Sequence, residues 1–455
     1  SAAFIQGLAT LLATDTKATN QLARHYAVEN INKSLIAAYL NNPKLNAERE
    51  RTKAVDENLV QAFSAFKPTV TISAYKSDTD SSKITNSTGS SSPSTNAQTT
   101  AKSITIEQKI FNFDDMYNYQ KEKSSVEIAR YTLKKVEQDV LLEAVEAYTG
   151  TLLAQKKVVF SKENLDLSEK QVELDKSRLE RGVITISDLA QSESSLAAAQ
   201  SNLLNAENEL LITKKNFKNV VGYDPVDLEE INNLNLTLPK SLEETSAFAQ
   251  KENPILKISE FSLKKAEDEH KIAIAELSPT FSLSLGITDY DGYSSSVDKT
   301  KQSVAKAQAS IPLYQGGKQT SLIIQKKSLL DSAELDLQNS KNVVDRDTYS
   351  AWSNYRLSIS NAELTKLRVK ASEIAYEGII QEYESGSRST LDVITSRSTL
   401  LESRVNNAIS DKDRIVSQFK LLSSTGGLTA KNLALETKLY DPNDYPNKSW
   451  IRHIF

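Results

Sequence analysis

From Val126 onward, apolar residues fall at Ala129, Leu133, Val136, Val140, Ala144 and Ala147. This three-four spacing predicts an amphipathic helix. Residues 94–224 and 313–441 contain no proline, and proline breaks helices. Between Asn112 and Arg181 the only glycine is Gly150, and between Lys318 and Ser385 it is Gly378. A helix of ~68 residues at 1.5 Å per residue is roughly 100 Å long. Helices of that length belong to coiled coils or helical barrels, not to ordinary globular domains.

Elsewhere the period changes to two, the signature of a strand. One face carries Val70, Ile72 and Ala74; Ile104 and Ile106; Phe281, Leu283, Leu285 and Ile287; Ala305, Ala307, Ala309 and Ile311. The other face is Ser, Thr, Lys and Gln. Four such strands make no soluble core beside helices of this length. They approach the about 9–11 residues of a transmembrane strand. Four strands do not close a barrel, for which about eight is the minimum. Oligomerisation is therefore implied, with eight strands from two copies or twelve from three. Residues 76–102 are rich in Ser, Thr and Asn and read as a flexible exposed loop, with 289–303 as its shorter counterpart. Phe111, Phe113, Tyr117, Tyr119 and Tyr314 cluster at the strand ends. They form an interfacial girdle or ordinary core packing.

The pattern occurs twice. Asn42-Pro43 precedes Pro68 as Asn253-Pro254 precedes Pro279, and each second proline opens an alternating segment. The long helices end at Arg181-Gly182 and Ser385-Gly386. Then come Ile186-Ser187-Asp188-Leu189 and Thr390-Leu391-Asp392-Val393. Gly182 and Gly386 are 204 residues apart, as are Asp188 and Asp392, whereas the Asn-Pro pairs are 211 apart. The longer first polar loop absorbs the difference. Ordered landmarks of this kind mark an internal repeat. Residues 1–222 form the first repeat, 223–253 a linker, 254–427 the second repeat and 428–455 a C-terminal segment. Each repeat reads helix, strand, strand, long helix, turn, helix.

Composition narrows the function. The 455 residues hold 55 Lys plus Arg and 59 Asp plus Glu, for a net charge of -4, and no cysteine. A strongly basic nucleic-acid binder is excluded, as are disulfides and thiolate sites. No run approaches the ~20 apolar residues of a spanning helix; Phe4 to Ala13 reads instead as a signal remnant. His25, His270 and His453 have no metal-ligand spacing. There is no phosphate loop or nucleophile elbow, and Gly316-Gly317 reads as a strand-to-helix transition. No enzyme, cofactor or metal is expected.

From about Tyr39 to Gly427 this layout resembles the TolC family of outer-membrane efflux channels. The most specific pieces are Ile311-Pro312-Leu313-Tyr314-Gln315-Gly316-Gly317 and Tyr383-Glu384-Ser385-Gly386-Ser387-Arg388-Ser389-Thr390-Leu391-Asp392-Val393. Arg181-Gly182-Val183-Ile184-Thr185-Ile186-Ser187-Asp188-Leu189 is the first-half equivalent. The resemblance implies a mainly α fold with a transmembrane β part. Three subunits would build a 12-stranded β-barrel, four strands each, continuous with a 12-helix α-barrel through the periplasm. Residues 223–253 and 428–455 would lie around its equator, and Phe455 suits an outer-membrane insertion signal. The chain would be the exit duct of a tripartite efflux or type I secretion system of a Gram-negative bacterium. Its partners would be a periplasmic adaptor, an inner-membrane pump or ABC transporter, and outer-membrane lipid. The alternative is a structural periplasmic coiled-coil or adaptor protein, which leaves the strands and the duplication unexplained.

The resemblance also implies site residues. Asp392 would face the axis as a ring of three carboxylates that attracts cations; otherwise it is a solvated acid near a turn. Well-known members carry a second acid one turn on, where this chain has Thr395, so the constriction would hold one acidic ring. Ser187, Asp188, Tyr383 and Arg388 match the gate bonds: Tyr383 would donate to Asp188, and Arg388 would reach Ser187 or a backbone carbonyl. Asp188 would equally cap a helix starting at Leu189. Arg181, Gly182, Val183, Ser385 and Gly386 would dock the adaptor.

Overall fold

The computed structural model describes residues 30–81, 88–89, 95–231, 234, 236–294 and 297–448. The Phe4–Ala13 segment, His25, His453 and Phe455 lie outside them, as does part of the first polar loop. The elements are α1 (Ile31–Asn41), α2 (Pro43–Ser64), β1 (Thr69–Ser81), β2 (Thr95–Phe111), α3 (Phe113–Glu180), α4 (Ile186–Val221), α5 (Leu242–Glu252), α6 (Pro254–Ala275), β3 (Thr280–Ser294), β4 (Val297–Ser310), α7 (Lys318–Glu384), α8 (Thr390–Ser424) and α9 (Asp444–Lys448). Equivalent helices match in length: 11 and 11, 22 and 22, 68 and 67, 36 and 35 residues. None is apolar enough over a long enough window to cross a membrane.

The chain divides into two compact units, each drawing on both repeats. One contains the sheet, in the order β1-β2-β3-β4, antiparallel throughout. Its register places Val70, Ile106, Leu285 and Ala305 in one row, and Ile72, Ile104, Ile287 and Ser303 in the next. The apolar face predicted from the alternation is thus continuous across four strands. It is open within the chain: Val70 is 63% and Ile72 77% exposed. A bulge between Lys109 and Phe111 shifts the β2–β3 register. The strands run further than the polar composition suggested. β1 continues to Ser81 and β2 begins at Thr95, so much of the expected first loop is strand; β3 and β4 likewise take up most of 289–303. Thr-rich polar segments make good strands once a neighbour pairs with them.

Aromatic residues gather below the sheet in this unit. Phe63, Phe66 and Tyr119 lie with ring centroids 5.8–6.3 Å apart, and Phe111 stands edge-on to Phe113 at 4.5 Å. Tyr314 is exposed. The larger rings are therefore partly packed on one another and partly open.

The other unit holds the principal core. Leu35, Ala38 and Tyr39 of α1 meet Val140, Leu141, Ala144 and Tyr148 of α3, Phe217 of α4, and Ile415 and Phe419 of α8. Leu234, Leu236 and Leu238 of the linker and Leu428 of the C-terminal segment close over it. The Tyr148 hydroxyl donates to Glu229 O at 2.8 Å, and burial pushes its pKa up to about 12.

The two Asn-Pro landmarks become matching joints in this unit. The residue before proline is barred from the helical region: Asn42 and Asn253 sit at φ -64, ψ 122 and φ -65, ψ 122, and α1 and α5 end there. Pro43 and Pro254 then open α2 and α6, where a missing N–H costs nothing. The Asn42 side chain donates to Val220 O at 3.0 Å and accepts from Lys44 N at 2.9 Å. Asn253 donates to Ser424 O at 2.8 Å and accepts from Ile255 N at 2.9 Å. Asn42 thus ties the α1–α2 joint to the end of α4, and Asn253 ties the α5–α6 joint to the end of α8. Asn253→Ala strands a carbonyl and an amide in a site that is 6% exposed. Chemical unfolding of the detergent-solubilised protein is expected to register a loss of about 1–3 kcal/mol. An unchanged midpoint would mean the joint carries no weight.

Candidate functional site at the helical turns

The turns that join α3 to α4 and α7 to α8 are built alike. Gly182 and Gly386 adopt φ 72 and φ 84, left-handed values that favour glycine. Gly182 N donates to Leu179 O and Val183 N to Arg178 O, both at 2.9 Å. In the second turn Gly386 N donates to Tyr383 O at 3.0 Å and Ser387 N to Glu382 O at 2.8 Å. These paired bonds satisfy the last carbonyls of each long helix.

Each turn ends in a capping box. Thr185 Oγ1 accepts from Asp188 N at 3.2 Å, while the Asp188 carboxylate takes the Thr185 amide at 2.8 Å and hydroxyl at 2.7 Å. Ser389 and Asp392 repeat this at 3.2, 3.0 and 2.8 Å. The cap of α4 is thus Thr185, one turn before the expected start at Leu189, and Asp188 is its third-residue partner. The backbone N–H and hydroxyl of Thr185 hold the Asp188 carboxyl below the usual carboxylate range. Ser389 does the same for Asp392.

That geometry redirects the expected gate bonds. The Tyr383 hydroxyl donates to Asp175, not to Asp188, whose carboxylate is already engaged with Thr185. Arg388 Nε donates to Glu382 Oε2 at 2.6 Å, not to Ser187. Ser187 instead lines an open groove of about 680 Å³ between α4 and α8, with Ala190, Ser194, Leu391 and Ile394. Thr395 is exposed, and its carbonyl accepts from Thr399 Oγ1 at 3.0 Å. Arg181, Gly182, Val183, Ser385 and Gly386 are all exposed. Among the described residues, no group of His, Asp or Glu side chains is disposed to hold a metal ion.

Asp175 is the residue that reading the turn motifs missed. It is fully buried and gathers three donors: the Tyr383 hydroxyl, the Ser192 hydroxyl and the Gln171 amide, the last at 3.1 Å. Arg178 stacks over the Tyr383 ring at 4.1 Å and donates to Tyr383 O at 3.1 Å. Arg397 of α8 is only 4% exposed; it donates to Ser195 Oγ at 2.9 Å and Leu167 O at 3.3 Å. Burial lowers its pKa, with Tyr376 and Asp175 working the other way. Burial, then the Asp175 carboxylate, raise the Tyr383 phenol, so it stays protonated and remains a donor. All four helices are linked through this network. The signal was present: Val158, Ser161, Ser168, Val172 and Asp175 are buried at three-four spacing, so an acid occupies a core position of the helix. A charge there needs partners.

With the site described, its class is clear: two helical hairpins, closed at capped turns and cross-linked by a buried polar network, on a chain that carries an open sheet. The outer membrane efflux protein family matches residues 35–223 and 247–427, and the chain belongs to it. It is an outer-membrane protein that reaches into the periplasm of a Gram-negative cell. Members of this family are channels, not enzymes. The outer membrane efflux protein BepC of Brucella suis biovar 1 is 27% identical over 441 residues, covering 96% of this chain and 93% of that protein. Outer membrane protein TolC of Escherichia coli is 22% identical over 432 residues, covering 91% and 86%. The fold is that of the Campylobacter jejuni CmeC outer membrane channel, with TM-score 0.79, 16% identity, and 92% and 88% of the chains covered.

Two outcomes follow from the turns. Tyr383→Phe leaves Asp175 with one donor fewer, a loss of about 1–3 kcal/mol. Hydrogen exchange should show lower protection of the amides around 175 and 383, with the rest unchanged. The caps carry a pH signature. A depressed carboxyl stabilises fully above its ordinary value of 3.8, and that contribution is lost as pH falls through the lowered one. Protection factors of the amides following Ser389 should therefore drop below about pH 4. In Asp392→Asn that drop should disappear at the second turn and persist at the first.

Proposed function

We propose that this chain is the exit duct of a tripartite efflux or type I secretion system, working as a homotrimer. Three sheets close a 12-stranded barrel in the outer membrane, continuous with a 12-helix tunnel through the periplasm. Substrates delivered by an inner-membrane pump or ABC transporter pass outward without chemistry on the way. One observation carries this reading: β1 and β4 have edges that, among the described residues, nothing pairs, on a sheet whose apolar face is open. In lipid an unpaired strand edge is prohibitive, and closure with neighbouring copies removes every edge.

The entrance lies at the helical turns. The buried network around Asp175 latches the two hairpins of a subunit to each other. Arg388, held by Glu382, and the exposed turn of Ser187 and Asp188 provide the bonds that change as the turns part. Asp392 stays ionised through its cap and, repeated by threefold symmetry, presents three carboxylates to the pore. Thr395 leaves the constriction with one acidic ring. A periplasmic adaptor's helical hairpin docks at Arg181, Gly182, Val183, Ser385 and Gly386.

Single-channel recording in planar bilayers tests this. The purified trimer should give discrete, cation-preferring conductance. Tyr383→Phe combined with Arg388→Ser should raise the resting conductance several-fold, and Asp392→Asn should abolish the cation preference at unchanged unit size. Silence from both the wild type and the loosened variant would overturn the channel reading. Unchanged selectivity in Asp392→Asn would remove Asp392 from the pore.

A further inference from the structure

The sheet register carries one pattern that the duct does not use. On the face bearing Val70, Ile72, Ile104 and Ile287, the next row upward is Ala74, Lys102, Asp289 and Lys301. The row after that is Lys76, Thr100, Asp291 and Lys299. Rows two residues apart on one face are separated by roughly 7 Å. Within one such step the apolar band therefore gives way to a lattice of four lysines on β1, β2 and β4 and two aspartates on β3. The four ammonium groups are exposed, and among the described residues none of them forms an ion pair. Above the two rows on this face comes Asp78, which accepts from Gln98 at 3.3 Å.

The opposite face at this height is the control. Between the two lysine rows lie Tyr75, Ala101, Tyr290 and Thr300, and below them Ser73, Ser103, Thr288 and Gln302, none of them charged. On that face the lysines sit at the other end of the strands, at Lys109 and Lys306 beside Glu107, and the charge near this end is an acid, Asp298. Cations placed only for solubility would not select one face at one level. An ammonium beside an apolar band fits a boundary where acyl chains meet an anionic headgroup, since an anionic surface attracts the cations nearest it.

We infer that Lys76, Lys102, Lys299 and Lys301 form a binding surface for the phosphate groups of phosphorylated glycolipid, of the lipid A type, in the outer leaflet. This rests on the barrel reading above, which makes the apolar face the lipid-facing one. Asp289 stands between Lys102 and Lys301, and Asp291 between Thr100 and Lys299, so the two acids space the ammonium groups apart. The apolar rows take the acyl chains, and the lattice takes the phosphates.

The test uses the full chain as the detergent-solubilised trimer and bisphosphorylated lipid A as probe, followed by native mass spectrometry. The same lipid after enzymatic dephosphorylation is the reference. Wild type should prefer the phosphorylated form by roughly tenfold or more, and the preference should fall as salt rises from about 0.05 to 0.5 M. The quadruple variant Lys76→Gln, Lys102→Gln, Lys299→Gln, Lys301→Gln should lose the preference, while Lys306→Gln on the other face keeps it. If the quadruple variant does not assemble, Asp289→Asn with Asp291→Asn must tighten binding of the phosphorylated lipid. Equal binding of both lipids by wild type, or an unchanged preference in the lysine variant, overturns the inference. Wild-type conductance separates the two readings. A conducting channel without phosphate preference sinks only the lipid surface, whereas a protein that forms no channel sinks the barrel and the lipid surface with it.

Discussion

An antiparallel sheet of four strands has two edges, and each edge is a row of N–H and C=O groups in search of partners. In water, solvent satisfies them at little cost. In a bilayer nothing does, and each unmet group costs several kcal/mol. This chain places such a sheet, with its apolar face open, in a protein of the outer membrane efflux family. The proposed trimer follows from that constraint more than from any side chain. The proposed duct is then the space that closure leaves, with a polar face rich in Ser and Thr turned inward.

Duplication explains how one chain builds two such hairpins with few inventions. The Asn-Pro joints, the left-handed glycine turns and the capping boxes each occur twice, with bond lengths that agree within a few tenths of an ångström. Local chemistry of this kind copies well, because every partner lies within a few residues of the others. The joints are the exception, since Asn42 and Asn253 reach across to the distant carbonyls of Val220 and Ser424.

The copies diverge where the hairpins meet. The first supplies the buried acid Asp175, and the second supplies Tyr383 and Arg397. Neither half has the complete network, so the latch exists only when both pack together. A buried carboxylate is costly to leave unpaired and close to neutral when its donors are in place. Such a network stabilises little on balance, yet it penalises misregister between the hairpins heavily. That suits a structure proposed to hold a definite closed position and to leave it only when several bonds break together.

Long helices, strand faces and turns were legible in the residues, because each depends on neighbours in the chain. The three-four spacing from Val126, the missing prolines and the glycines at 182 and 386 set α3 and α7 to within a residue of their ends. The polar stretches after Ala74 and Ile287 were harder to read, since Thr and Ser serve loops and paired strands alike until the partner strand is in place. The pairing of Tyr383 with Asp175, 208 residues apart, lay beyond any local pattern. The turn motif drew attention to Asp188, but its carboxylate was already engaged by Thr185, three residues away. Local bonds are fixed by spacing along the chain. Which buried donor meets which buried acceptor is decided only when packed helices bring distant residues together and exclude water from between them.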